Sequence, residues 1–355
     1  GDVTRSWKLP QEGDSSISAY FSSVNWGKKS VGLDVSTTEG REIIHELMKT
    51  TDVVIVSYKP GDDVKLGLDY ETLSAINPRL IYGKITGYGE NDRRVGYDAV
   101  IQAEAGFMFM NGEPDGAPLK MPVALVDVLA AHHLKEGILI ALLHRMSSNT
   151  GQLVSVSLLE AAISSLANQA TNYLVGGVVP QRIGSKHPNI APYGEVFTTK
   201  DNRQVLLAIG SDKQFYSLCD EIHAESLKND TRFTSNRKRV VHRTELAELL
   251  QQSIAEFDAN SLIDKLKKAN IPYGEIRDMR SVFEQPIAKK MQLINENLPQ
   301  NLLGIRNFAA NIGKSEKFPH ISPPPEYGQD TTYFLRDIMG FTSYKIAFLA
   351  KKSIV

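Results

Sequence analysis

A chain of 355 residues is long enough for one large or two medium domains. Its composition, 42% hydrophobic and 23% charged with a formal net charge of −1, is that of an ordinary globular protein and gives no bulk electrostatic reason to expect nucleic acid or an anionic membrane as partner. The single cysteine, Cys219, excludes an internal disulfide and a cysteine metal cluster, and no apolar run is long enough to predict a membrane span. Residues 1–16 are polar, resemble neither a signal nor a transit peptide, and do not begin with methionine, so the chain reads as a processed or truncated form. Sparing use of cysteine fits a reducing compartment: the cytoplasm, or the mitochondrial matrix in a eukaryote.

In chain order, the alternation of Val31, Leu33 and Val35 predicts a short strand over Ser30–Val35. Ser36 to Glu39 has the spacing of a capping box before a helix over Arg41–Thr50. The β-branched run Asp52–Ser57 predicts a strand buried on both faces, as in a parallel sheet. Strand, helix and strand within about thirty residues make a βαβ unit. A helix over Tyr70–Ile76 stops at Asn77-Pro78, and a strand over Leu80–Thr86 exits into the loop Gly87-Tyr-Gly. Residues 99–111 predict a helix, Gln152–Val156 a strand, and Ser157–Val175 one long apolar helix. From Gly194 the texture changes to a hairpin, followed by helices over Gln214–Ala224, Arg243–Phe257 and Ala259–Lys268. Pro323-Pro-Pro325 then leads to a final helix, Thr331–Met339. The front of the chain is thus a Rossmann-like α/β structure without a G-x-G-x-x-G fingerprint, which disfavours a dinucleotide dehydrogenase. Residues 190–290 form a smaller α+β unit.

The stretch Met121–Met146 carries the chemistry. One carboxylate, Asp127, stands ahead of a long apolar run with helical spacing, flanked by Val123, Leu125, Val126, Val128 and Leu129. It reads as an N-cap accepting amide hydrogen bonds, or as an enclosed nucleophile for an acyl group, and the two are compatible. His132 and His133 lack partners at metal-ligand spacing and read as core or interhelical hydrogen-bonding residues; His187 lies on a loop able to line a site. No Ser-His-Asp elbow or Walker loop is present. Lys59, Lys65, Arg93 and Arg94 fall on strand-end loops, where they suit a ligand carrying phosphates or are simply solvated.

Read together, GDVTRSW, NWGKKSVGLDVSTTEGREI, YKPGDDVKLGLDYETLSAINPRLIYGKITGYG, GYDAVIQAEAGFM, PVALVDVLAA, GQLVSVSLLEAAIS and HPNIAPYGEVFTTKD resemble, in order, the class III CoA-transferases. That family includes formyl-CoA, carnitine and succinyl-CoA–glutarate CoA-transferases, and the similarity runs along the whole chain. Two later signatures stand here as IPYGEI and PPPEYGQDT. The family has a strand–helix–strand segment ahead of GDVTR that is absent here, and its Gln-Thr-Gly-Pro after GYG is replaced by Glu90–Arg94.

The resemblance implies that Asp127 is the nucleophile. It implies CoA contacts at Leu33 and Asp34, at Ser57, Tyr58 and Lys59, at Lys65, and at Gly96, Tyr97 and Asp98, with Lys59 and Lys65 on phosphates. It implies a large Rossmann-like domain built from both chain ends (1–189 and 291–355), a small domain (190–290), and an interlocked homodimer with a very large interface. The implied reaction moves CoA from an acyl-CoA to a free acid, a small dicarboxylate by the strongest similarity, without a metal. Two alternatives remain. An α-methylacyl-CoA racemase of the same fold would carry a histidine base where this chain has Tyr97, a poor base at neutral pH. A non-catalytic CoA-binding protein is favoured only by the absent leading segment.

Overall fold

The computed structural model describes residues 1–13, 16–295, 302–310 and 321–355. Parts of two segments read above, 14–15 in the leading stretch and 296–301 with 311–320 in the closing one, lie outside the described residues. The chain divides into two compact units. The first comprises Gly1–Lys84, Glu136–Ser155 and Met279–Val355, the second Ile85–Lys135 and Val156–Asp278.

The first unit contains a parallel pair. β1 (Val53–Val56) lies beside β2 (Ile81–Thr86), with Val53 opposite Ile81 and Val56 opposite Lys84. β3 (Leu153–Ser157) flanks β2 on its other side. The central strand is the buried one: Ile81 and Tyr82 have no exposure. β1 is not covered on both faces as its composition predicts. Val54 and Val56 pack into the cluster around Leu73, Leu80 and Tyr82, while Ile55, pointing the other way, is exposed.

Helix α1 (Thr38–Met48) supplies Met48 to that cluster. Its cap is Thr37, whose hydroxyl accepts the Gly40 amide at 3.1 Å; Ser36, the expected cap, bonds back to Asp34 instead. α2 (Asp62–Leu66) is bracketed by Gly61 and Gly67, both at positive φ, which lets a five-residue helix start and stop abruptly. α3 (Tyr70–Ile76) is capped by Asp69, which accepts the Thr72 amide at 3.0 Å.

The expected strand over Ser30–Val35 does not form. Its amides find no neighbouring strand: Ser30 donates to the Asp330 carboxylate, Gly32 to the Thr331 hydroxyl and Asp34 to the Ile354 carbonyl, each at 2.8 Å. Every buried amide needs a partner, and here side chains and turns near the carboxyl end serve. Leu33 accordingly packs against Leu335, Leu349 and Ile354. A helix missed by the sequence reading, Ser343–Lys351, contributes Leu349.

In the second unit α4 (Asp98–Glu104), the start of α5 (Leu125–Ser148) and α6 (Leu158–Ser164) share one apolar cluster. It is built on Ile101, Val126, Ala130, Leu158 and Ala162. The long helix expected over 157–175 is broken. Ser164 and Ser165 bond back to the Ala161 carbonyl, competing with the helical ladder, and Ala167 turns to positive φ before a new helix, Asn168–Leu174. Farther on, β4 (Tyr193–Thr198), β5 (Gln204–Ala208) and β6 (Tyr273–Glu275) form an antiparallel sheet. Helices Asp212–Glu221, Arg243–Ile254 and Ala259–Lys268 bury Phe215, Leu218, Leu250 and Leu262 with its Phe197 and Leu207. Cys219 sits in this core, where burial pushes its thiol up to about 12, so it packs as a small apolar group. Among the described residues no helix is long and apolar enough to cross a membrane.

Candidate active site

Helix α5 begins at Leu125, so Asp127 lies inside its first turn and is not its cap. The capping role falls to Asp98, at the start of α4, whose Oδ1 accepts the Val126 amide at 2.8 Å. The other oxygen of Asp98 accepts from Gln102 Nε2 at 2.7 Å. Gln102, fully buried, turns its own carbonyl oxygen to the Met121 amide at 2.8 Å. Two side chains of α4 thus hold both ends of the segment that leads into Asp127.

This leaves Asp127 available. The residue still meets solvent while protein atoms crowd part of its carboxyl group, and no hydrogen bond reaches its carboxylate from any described residue. Its carboxyl is raised above the usual aspartate value, first by loss of hydration among the surrounding protein atoms and second by the neighbouring Asp98 charge. Raising a carboxyl pKa makes its anion a better nucleophile.

The loop carrying Tyr97 and Asp98 is fixed by a backbone contact. A Cβ on Gly96 would stand 2.6 Å from the Gly87 Cα, and one on Gly87 would stand 2.8 Å from the Gly96 Cα. No side chain fits between these strands of backbone. Gly96→Ala is expected to destabilise the protein by roughly 1–3 kcal/mol, as overpacking does. It should also shift Asp98 and lower turnover, which a urea titration run beside an activity assay would show.

The residues named above divide between the units. Gly96, Tyr97, Asp98 and Asp127 belong to the second; Leu33, Asp34, Ser57, Tyr58, Lys59 and Lys65 belong to the first. In the first unit, Asp34 is held below the usual carboxylate range by the hydroxyl and then the amide of Ser36. Ser57 and Lys59 are exposed, and Tyr58 packs on the β1–β2 cluster. Lys65, on α2, is exposed and pairs with Asp62 at 3.0 Å. Beneath it a buried ion pair, Lys84 of β2 with Asp63 of α2 at 2.7 Å, ties the helix to the sheet. In the second unit, Arg94 binds Asp92 and Glu104 and stacks on Tyr88.

His133 meets the Ser164 hydroxyl at 3.3 Å, an interhelical role as expected. His132 contacts Lys135 at 3.0 Å, and His187 packs edge-on to Tyr193. Sequence reading missed Gln102 and Lys84. Gln102 follows Asp98 by four residues, the spacing that puts two helical side chains on one face, so the signal was present. Nothing in the sequence marks the partner of Lys84, which lies in a separate element.

The description "CoA-transferase family III" fits residues 1–331. A succinate–glutarate CoA-transferase of Agrobacterium fabrum is 37% identical over 293 residues, covering 81% of this chain and 73% of its own length. The human succinyl-CoA:glutarate CoA-transferase is 31% identical over 360 residues, covering 100% of this chain and 81% of its own. The crystal structure of a CAIB/BAIF family protein from Brucella suis superposes with a TM-score of 0.80 at 36% identity, over 95% of this chain and 89% of that one. With a family match spanning nearly the whole chain and relatives at this level of identity, the protein is an enzyme that belongs to CoA-transferase family III.

Proposed function

We propose that the chain transfers CoA from an acyl-CoA, succinyl-CoA being the first candidate, to a small dicarboxylic acid such as glutarate, with Asp127 as covalent nucleophile. The observation that carries this reading is the state of Asp127: accessible, without a hydrogen-bond partner among the described residues, and less acidic than usual. The names of the relatives at 31–37% identity support the choice of acids.

In the proposed cycle the Asp127 carboxylate attacks the donor thioester carbonyl, and the C–S bond breaks to give a mixed anhydride and the CoA thiolate. The thiolate attacks the aspartyl carbonyl and expels the donor acid, leaving an aspartyl-CoA thioester. The acceptor carboxylate attacks that thioester, forming a second anhydride and releasing the thiolate again. Attack of the thiolate on the acceptor carbonyl yields the new acyl-CoA and regenerates the carboxylate. Each step passes through an oxyanion. The Leu125 and Val126 amides are spent on Val123 and Asp98, whereas the Asp127 amide donates to no acceptor among the described residues and is the donor we assign to that charge. Water must be kept out while the anhydrides exist.

The proposal assigns Lys59 and Lys65 to CoA phosphates, and Leu33, Asp34, Ser57, Tyr58, Gly96, Tyr97 and Asp98 to the rest of the nucleotide and pantetheine arm. Asp98 would act through its backbone, since its carboxylate is engaged. The division into residues 1–189 with 291–355 and residues 190–290, an interlocked homodimer, and a cytoplasmic location complete the reading.

Incubating the protein with succinyl-CoA and digesting it should give an Asp127-containing peptide carrying CoA, and adding glutarate should discharge that adduct as glutaryl-CoA. Racemisation of a 2-methylacyl-CoA without CoA exchange onto an added acid would overturn the transferase reading.

A further inference from the structure

The two hydrogen bonds of Gln102 have a fixed direction. The Met121 backbone amide can only donate, so Gln102 presents its carbonyl oxygen to Met121 and its NH₂ to Asp98. The side chain is fully buried on a helix face whose neighbours, Ile101 and Ala105, belong to an apolar cluster with Val126. A polar group there is costly unless both ends are satisfied, and both are. Between the two anchored amides, Met121 and Val126, the chain includes Pro122, which has no amide to offer, and Asp127 follows the second anchor directly.

We infer that Gln102 is a positioning residue for Asp127: acting through Asp98 at Val126 and directly at Met121, it fixes the backbone that aims the carboxylate, although it is fully buried and both its polar ends are spent on protein partners. This rests on the reading of Asp127 as nucleophile. The acid and amide form one unit, so losing either should release the same segment.

The test uses the full chain with succinyl-CoA and glutarate, comparing Gln102→Met, Gln102→Glu, Asp98→Asn and two double variants. Gln102→Met keeps the volume and removes both bonds. It is expected to lower kcat roughly 10- to 100-fold, the scale of a misplaced reacting group. KM for succinyl-CoA should stay within about threefold, because no binding contact is removed. Combining Gln102→Met with Asp98→Asn should cost no more than the worse single change, since coupled residues are not additive.

Reversing the polarity is the stronger arm. In Asp98→Asn with Gln102→Glu, the new asparagine can donate to the new glutamate and still accept the Val126 amide, while the glutamate accepts the Met121 amide. Each single change leaves one mismatch; the pair should recover most of the lost kcat. Wild-type kcat in a folded Gln102→Met protein, a loss confined to KM, or a polarity-reversed pair no better than its singles would overturn the inference. If Gln102→Met does not fold, the comparison of Asp98→Asn with the reversed pair decides it. Asp127→Ala is run alongside. An active Asp127→Ala protein removes the nucleophile reading, whereas an inactive one beside a fully active Gln102→Met protein removes only the present inference.

Discussion

Asp127→Asn is expected to abolish CoA transfer and, at the same time, to make the folded protein more stable at neutral pH. The activity loss should be at least about 10⁴-fold in kcat, the scale on which covalent nucleophiles act. The stability gain follows from the raised carboxyl. The fold holds the Asp127 proton more tightly than the unfolded chain does, so the ionised group opposes folding at neutral pH. An amide has no such charge to desolvate or to repel Asp98. Below the ordinary aspartate value, about 3.9, both states of the wild-type chain are protonated and the difference vanishes. Thermal unfolding should therefore show the variant ahead of wild type at pH 7, with the gap closing as pH falls toward 4. A variant less stable than wild type at neutral pH would mean that Asp127 is not strained, and a variant retaining turnover would remove it from the chemistry.

The second large effect concerns folding. Lys84 and Asp63 are both almost fully withdrawn from water; Lys84 donates to Asp63 Oδ2, and the buried Oδ1 has no hydrogen-bond partner among the described residues. Lys84→Met leaves a buried carboxylate without its cation, which should cost about 3–5 kcal/mol. Replacing both members, Lys84→Met with Asp63→Leu, removes the charge and the need for it, and most of that loss should return. Urea midpoints at constant slope measure both. Because Asp63 and Lys65 share α2, the single change should also raise KM for acyl-CoA if Lys65 holds a phosphate, and the double change should largely reverse it.

What the sequence showed and what it hid divide along the range of the interactions. The helices over Tyr70–Ile76 and Ala259–Lys268 were readable to the residue, since apolar spacing and local stop signals define them. Thr37, which displaced Ser36 as a cap, was one position away. Ser30–Val35 has the alternation of a strand, but its hydrogen-bond partners lie some three hundred residues on, and no local pattern reports them. The break after Ser164 turned on which carbonyl two serine hydroxyls would choose. At the site, an acid at the head of a long apolar run singled out Asp127, although Leu139, Ile140 and Leu143 of that run are exposed rather than buried. Asp127 is not the cap because the helix starts at Leu125, three residues earlier than a cap at Asp127 requires, and borrows its capping oxygen from another element.

Those distant partners of Ser30, Gly32 and Asp34 also set an order of events during synthesis. At about 5–20 residues per second, the Asp330, Thr331 and Ile354 groups leave the ribosome some 15–60 s after the amides that need them. The second unit, residues 85–135 and 156–278, is finished in between, with every strand of its antiparallel sheet lying within residues 193–275. The nascent chain thus carries an incomplete first unit for most of its translation, with Leu33 and Ile43 waiting for Leu335 and Leu349 to cover them. That interval, rather than the finished fold, is when these apolar side chains lack their native cover.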